Sequence, residues 1–276
     1  MPRPFPPHAN RDADRAELER RYRLEKQLAD RLRTASADER GALYADVYAA
    51  YARGVPSVAE DVGSLELQKR LLAPWLRPEM RIVEVGAGAG QAARSMLGDG
   101  RQVVAIEATA PDTRDDLENG LQWLPHDEAD RLQQNSFDLA YSCHVIEHLH
   151  PDDLPGHFAD VLGWLRPGAA YLFVTPNRLL GPHDISAYFA DEPEGLHLRE
   201  YSHGDLARLA RRAGFSRVAA VDHDGRTKAL WPRLVAETAL DLCGQPTRRW
   251  LFDGLGSMRR RQPLRPLEQV VLAAFA

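Results

Sequence analysis

Residues 81–93 read RIVEVGAGAGQAA. Ile82, Val83 and Val85 form a short apolar, β-branched run that meets three glycines, Gly86, Gly88 and Gly90, and then a stretch of helix formers. A strand that turns on glycines into a helix is the start of a nucleotide-binding βαβ unit. The nicotinamide fingerprint G-x-G-x-x-G would put its third glycine at position 91, which is Gln91, so the spacing here is G-x-G-x-G. A second apolar run, QVVAIEAT (102–109), ends in Glu107, and an acid at that place can accept both hydroxyls of a ribose. Ala87 and Ala89 between the glycines leave room for the backbone to approach a ligand closely.

Outward from this loop the pattern alternates. LELQKRLLAPWL (65–76) precedes it as a helix, and QAARSML (91–97) follows. LQWLPHD (121–127) and SFDLAYSC (136–143) are strands, and DDLPGHFADVLGWLRPG (152–168) is a helix closed by Pro-Gly. AYLFVTPN (170–177) is a strand, and residues 202–215 are a helix with Ser202 as N-cap and Gly214 at its end. SRVAAVDH (216–223) and the terminal EQVVLAAFA (268–276) supply the last two strands. Helices alternating with seven strands predict a Rossmann-like, doubly wound α/β sheet. Before it, residues 1–60 form a separate helical arm: Leu18, Tyr22, Leu24, Leu28 and Leu32 recur at helical spacing, then Tyr44, Val47, Tyr48 and Tyr51. The arm either packs its aromatic stripe on the core or covers a substrate pocket. The main domain is 61–276, with a helical insertion over about 226–265.

The chain has 276 residues, 44% of them hydrophobic, enough for a sizeable core. A net charge of −5 supplies no global basic field for nucleic acid or acidic membranes. Cys143 and Cys243 give no disulfide framework, no apolar run approaches a membrane span, and the N-terminus lacks a signal-like apolar segment, so a cytoplasmic location is expected.

From about residue 65 to 221, with the final strand, the sequence resembles the class I S-adenosylmethionine-dependent methyltransferases. NSFDLAYSCHVIEHL (135–149) and LRPGAAYLFVTPN (165–177) match the strand-four and strand-five segments of that family. The resemblance implies that Glu84 and the loop Gly86, Ala87, Gly88 and Gly90 border the methionine part of S-adenosylmethionine. It implies that Glu107 holds the ribose and that Asp127, with Glu128 as second match, borders the adenine. A cofactor-binding module without catalysis and a nicotinamide oxidoreductase are the competing readings. The crowded histidines oppose the first and Gln91 the second.

The stretch SCHVIEHLHP (142–151) contains H-x-x-E-H, a zinc-peptidase signature. It begins just beyond a strand and meets Pro151 three residues after His148, where a peptidase helix should run on. If a helix does start near His144, then His144, Glu147 and His148 share a face. The small-RNA ribose 2′-O-methyltransferases and the ubiquinone O-methyltransferases carry the similar E-x-x-E-H, and in the RNA enzymes a later histidine completes a metal site. His197 in HLREYS (197–202), after TPN (175–177), matches that histidine, while His144 departs from the glutamate. The resemblance therefore implies a candidate site for one divalent metal ion at His144, Glu147, His148 and His197, where three imidazoles favour zinc, manganese or iron over magnesium. Without metal, His148 or His197 is the general base, and His144 belongs to the same catalytic cluster. His183 is a loop residue beside the substrate.

A sulfonium methyl is already activated, so the protein must chiefly align the acceptor and take its proton. A histidine-rich pocket suits a hydroxyl, and S-C-H-V stands where many nitrogen methyltransferases have N/D-P-P-Y/F. The expected acceptor is a hydroxyl of a small molecule, sugar, glycan or natural-product intermediate, with carbon and nitrogen acceptors left open. RNA ribose is the alternative, through Arg248, Arg249 and Arg259 to Arg261 in the insertion, which could equally grip a phosphate or carboxylate.

Overall fold

In the computed structural model, residues 14–55, 62–109, 119–242 and 269–276 are described. The run at 81–85 becomes β1 (Arg81–Val85), and its side chains feed two cores. Val83 packs with the cluster on one face of the sheet and Ile82 with the cluster on the other, both fully buried. A strand covered on both faces needs this continuous apolar character.

Strands β2 (Gln102–Glu107), β3 (Leu121–Pro125), β4 (Phe137–Cys143) and β5 (Leu165–Pro176) join β1 in parallel. Beyond them lie β6 (Arg217–Val221), β7 (Thr227–Lys228) and β8 (Gln269–Phe275). The order is β3-β2-β1-β4-β5-β8-β6-β7, and β8 runs antiparallel to both β5 and β6. The sheet has eight strands where seven were expected. The extra one arises because the chain reverses at Asp222–Gly225, with Gly225 at φ 75° and the Asp222 amide donating to the Arg226 carbonyl, so that Thr227 and Lys228 pair back onto β6.

Helices α3 (Val62–Leu72) and α4 (Gln91–Ser95) lie ahead of and after β1. Helix α5 (Leu154–Trp164) stops at Trp164, earlier than its Pro-Gly, because Leu165 already pairs with Phe137. Helix α6 (His203–Ala213) is held by the capping box of Ser202 and Asp205 and ends on Gly214 in the left-handed conformation. Helix α7 (Trp231–Leu242) follows β7 in the described part of the insertion. The remainder, with Arg248, Arg249 and Arg259 to Arg261, lies outside the described residues, as do residues 1–13.

The arm is a helical hairpin of α1 (Arg15–Thr34) and α2 (Ala37–Gly54), with Ser36 and Glu39 forming a capping box between them. Leu28, Ala29, Leu32, Tyr44 and Val47 bury against Leu196 and Leu198. Arg33 donates to the carbonyls of Pro193, Glu194, Gly195 and His197. The arm thus grips the loop that carries His197. Among the described residues no helix is long and apolar enough to cross a membrane.

Candidate active site

Strand order reverses beside β1, where β2 lies on one side and β4 on the other, and the loops leaving their carboxyl ends part to leave a crevice. Glu84, Gly86, Ala87, Cys143 and His144 line it. Gly86 has φ 69°, and a Cβ there would stand 2.3 Å from Val145 Cγ2, so only glycine lets the first turn pass under the β4 loop. Gly88 has φ 54° and faces open space, as a backbone offered to a ligand must. Gly90 at φ 75° caps α4.

Glu107, at the end of β2, accepts from the Gly88 amide at 2.7 Å and from the Ala108 amide at 2.8 Å. Glu84 is buried, and its Oε2 has no hydrogen-bond partner. Burial pushes its carboxyl up to about 8, against a lowering by the Ala93 amide, with the charge of Glu107 adding to the rise. Asp127 and Glu128 lie in a 3₁₀ turn directly after β3, at the edge where Glu107 pairs in register with Pro125. Asp127 is exposed, and Glu128 is paired with Arg131 at 2.6 Å.

The HVIEH stretch does not open an α-helix. His144 sits at φ 57° with its amide bonded to the Val174 carbonyl, which extends the β4–β5 pairing, and only Ile146–His148 form a single 3₁₀ turn. The expectation of one helical face is corrected on this ground. The structure still gathers the side chains, by another route. Glu147 is fully buried; the His144 Nδ1 meets its Oε1 at 2.9 Å, and Thr175 donates to its Oε2 at 2.8 Å. His148 and His197 stand edge to face with ring centroids 4.9 Å apart.

One ligand atom from each of Glu147, His148 and His197 lies within 4.8 Å of the other two. His144 is outside that trio and instead orients the Glu147 carboxylate. The His148 Nδ1 is held by the Leu196 carbonyl at 2.9 Å, and the His197 Nδ1 by Glu200 at 2.8 Å, leaving each ring its Nε2. Burial pushes His148 down to about 4. Burial also pulls His197 down, but the Glu200 hydrogen bond and the Glu147 charge outweigh it and raise that imidazole. Burial raises the Glu147 carboxyl, and the His144 hydrogen bond with the surrounding imidazoles more than reverses it, holding the group well below its ordinary value. His183 anchors the same loop, its amide donating to Glu200 and its Nε2 meeting the Asn177 carbonyl.

Thr175 and Glu200 went unassigned in the sequence. Glu200 was readable as the residue three beyond His197; Thr175 meets Glu147 only through the pairing of β4 with β5. The α2 tyrosines are here as well: the Tyr48 ring stands edge to face on His148 at 5.9 Å.

A methyltransferase-domain family model matches residues 60–220. No curated protein matches the chain. Among solved structures, the 1,6-didemethyltoxoflavin-N1-methyltransferase of Burkholderia thailandensis, with S-adenosylhomocysteine and 1,6-didemethyltoxoflavin bound, is 18% identical. It covers 88% of this chain and 90% of its own, at a TM-score of 0.55. The phosphoethanolamine N-methyltransferase 2 of Haemonchus contortus, in complex with S-adenosylmethionine, is 17% identical over 90% of this chain and 59% of its own, at 0.49. A methyltransferase of Archaeoglobus fulgidus is 14% identical over 77% and 94%, at 0.48. With the glycine turn, the acid ending β2 and the antiparallel β8 all in place, the chain belongs to the class I S-adenosylmethionine-dependent methyltransferase family.

Proposed function

We propose that this protein binds S-adenosylmethionine in the crevice between β2 and β4 and transfers its methyl group to a hydroxyl oxygen of a small molecule, sugar, glycan or natural-product intermediate. The observation that carries this reading is the convergence of Glu147, His148 and His197 at the carboxyl end of β4, one loop away from Gly86. The acceptor oxygen attacks the methyl carbon, the carbon–sulfur bond breaks, and S-adenosylhomocysteine leaves. The hydroxyl proton passes to an imidazole Nε2, best to that of His197, whose Nδ1 is backed by Glu200 as a base should be. An amine acceptor can attack as its free base and has less need of such a cluster. The named N-methyltransferases share the fold at under 20% identity and do not decide the atom methylated.

A second reading is favoured by the same trio. A carboxylate and two imidazoles with fixed Nδ1 atoms are a donor set that fits zinc, manganese or iron, and Leu196 and Glu200 are the outer partners that such ligands need. Glu147, His148 and His197 would hold the ion, with His144 and Thr175 orienting the carboxylate. A bound divalent ion supplies Lewis acidity that lowers the pKa of an acceptor hydroxyl. RNA ribose would then be a candidate acceptor too, but the chain's net charge of −5 speaks against it. A scaffold that binds the cofactor without turnover has no use for the cluster.

The test is turnover on a hydroxyl panel with and without chelator, followed by add-back of zinc, manganese, iron or magnesium, alongside elemental analysis. Turnover lost in chelator and restored by one ion supports the metal reading. Full activity in chelator with no metal found leaves the acid–base version. Binding of S-adenosylhomocysteine without turnover on any acceptor leaves the scaffold.

A further inference from the structure

Helix α2 presents three tyrosines toward the core, and their hydroxyls are used differently. The Tyr44 hydroxyl donates to Asp153 at 3.0 Å and accepts from the His150 amide at 2.7 Å. The Tyr51 hydroxyl accepts from Arg21 at 2.8 Å. Both fasten the arm. The Tyr48 hydroxyl is shielded from solvent and has no hydrogen-bond partner. A buried hydroxyl left unmade destabilises the fold, and phenylalanine would fill the same space without that penalty.

The position of this orphan is informative. The Tyr48 ring leans edge-on against His148, with ring centroids 5.9 Å apart, and His148 in turn stands edge to face with His197. The orphan hydroxyl therefore belongs to a side chain that borders the imidazole cluster beyond β4. A phenol is protonated at neutral pH and can donate.

We propose that Tyr48 is an acceptor-contacting residue, whose hydroxyl donates to a second oxygen on the acceptor, adjacent to the hydroxyl that His148 and His197 face. The inference rests on the hydroxyl-methylation reading above and narrows it. A protonated phenol donating to the reacting oxygen itself would lower its nucleophilicity, so the partner is the neighbouring oxygen. The acceptor class is then a vicinal diol or a hydroxy-carbonyl: a catechol or a sugar diol and not a simple alcohol.

The experiment compares wild type and Tyr48→Phe on catechol and methyl glucoside, and on phenol and propanol as single-oxygen controls. The expected result is preferred turnover of one of the two-oxygen probes by wild type. Tyr48→Phe should then lose tenfold or more in kcat/KM on that probe, while staying within twofold on any single-oxygen probe. S-adenosylhomocysteine affinity should stay within twofold, and the thermal midpoint of the free protein should be equal or higher. An unchanged rate on the two-oxygen probe overturns the assignment, as does a wild-type preference for the single-oxygen probes. A tenfold loss of S-adenosylhomocysteine affinity overturns it by giving the hydroxyl to the cofactor ribose. A lowered thermal midpoint overturns it by showing the hydroxyl already bonded within the protein. If wild type methylates none of the four probes, the hydroxyl-methylation reading falls, and this inference with it.

Discussion

Arg40, on α2, reaches Asp153, the residue just before α5, through two hydrogen bonds of 2.8 and 2.5 Å. Arg40 is only 4% exposed, and Tyr44 donates to the same carboxylate. Asp153 lies five residues beyond His148 in the chain, so this contact ties the arm to the segment that follows the turn carrying His148. Arg33 ties it to the loop carrying His197 from the other side. The segment after the His148 turn and the loop that carries His197 are thus both clamped by the same hairpin.

Arg40→Ala should leave Asp153 partly buried with its charge unpaired and only the Tyr44 hydroxyl still donating to it, at a cost of about 1–3 kcal/mol. Cofactor affinity should hold within twofold while acceptor turnover falls, since the clamp touches the loops and not the glycine turn. Deleting residues 1–52 is the stronger form, with cofactor binding spared and turnover lost. Calorimetry with S-adenosylhomocysteine and a turnover assay read both, and surviving turnover would reduce the arm to packing.

Glu107 tests the ribose assignment. Its carboxylate already orders the loop at Gly88. Glu107→Ala should remove two charge-assisted hydrogen bonds to the ribose, each worth about 1.5–3 kcal/mol, and weaken cofactor binding tenfold or more. An unaltered affinity in a folded variant would sink the assignment.

Glu237 fastens α7 to the carboxyl end of β5 and to the first turn of α6. It accepts from Asn177 Nδ2 at 2.9 Å, from the His203 amide at 3.0 Å and from the Gly204 amide at 3.2 Å, and meets His203 Nδ1 at 2.7 Å. Arg233 donates to the other His203 nitrogen, so the ring is neutral with its proton on Nδ1. Glu237→Ala strands these buried donors and should destabilise the protein by about 3 kcal/mol. Hydrogen exchange should show α7 opening first; unchanged protection there would count against its role as a clasp.

The sequence made visible what local order determines. Strand, glycine turn, helix and Glu107 follow one another within 27 residues, and each carries its own propensity. The β8 strand was legible as a strand, but its antiparallel insertion between β5 and β6 is set by partners about 50 to 100 residues away. His144, Glu147 and His148 had helical spacing and yet are brought together by a left-handed residue and a single tight turn. The spacing reported proximity correctly and conformation wrongly, because the Val174 carbonyl claims the His144 amide first. The clamps of Arg33 and Arg40 span more than 100 residues and leave no trace in either segment alone.

The last prediction concerns Glu84 and protons. Its buried carboxyl, pushed up to about 8 with Oε2 unpartnered, is mostly protonated at pH 7. If the methionine end of the cofactor lies beside it, as the resemblance implies, an ammonium arriving there would favour the carboxylate. Binding should therefore release close to one proton at pH 7, falling toward none above about pH 9. Calorimetry of S-adenosylhomocysteine in buffers of different ionisation enthalpy measures that number directly. The free protein carries the complementary sign. Its folded state keeps a proton that the unfolded chain gives up from about 4.5 upward, so Glu84 makes stability fall as pH rises between 4.5 and about 8. Glu84→Gln should flatten that slope, raise the thermal midpoint of the free protein at pH 8, weaken the cofactor and abolish the proton release. If Glu84→Gln still releases the proton on binding, the titrating group is another one and this account of the methionine pocket is wrong.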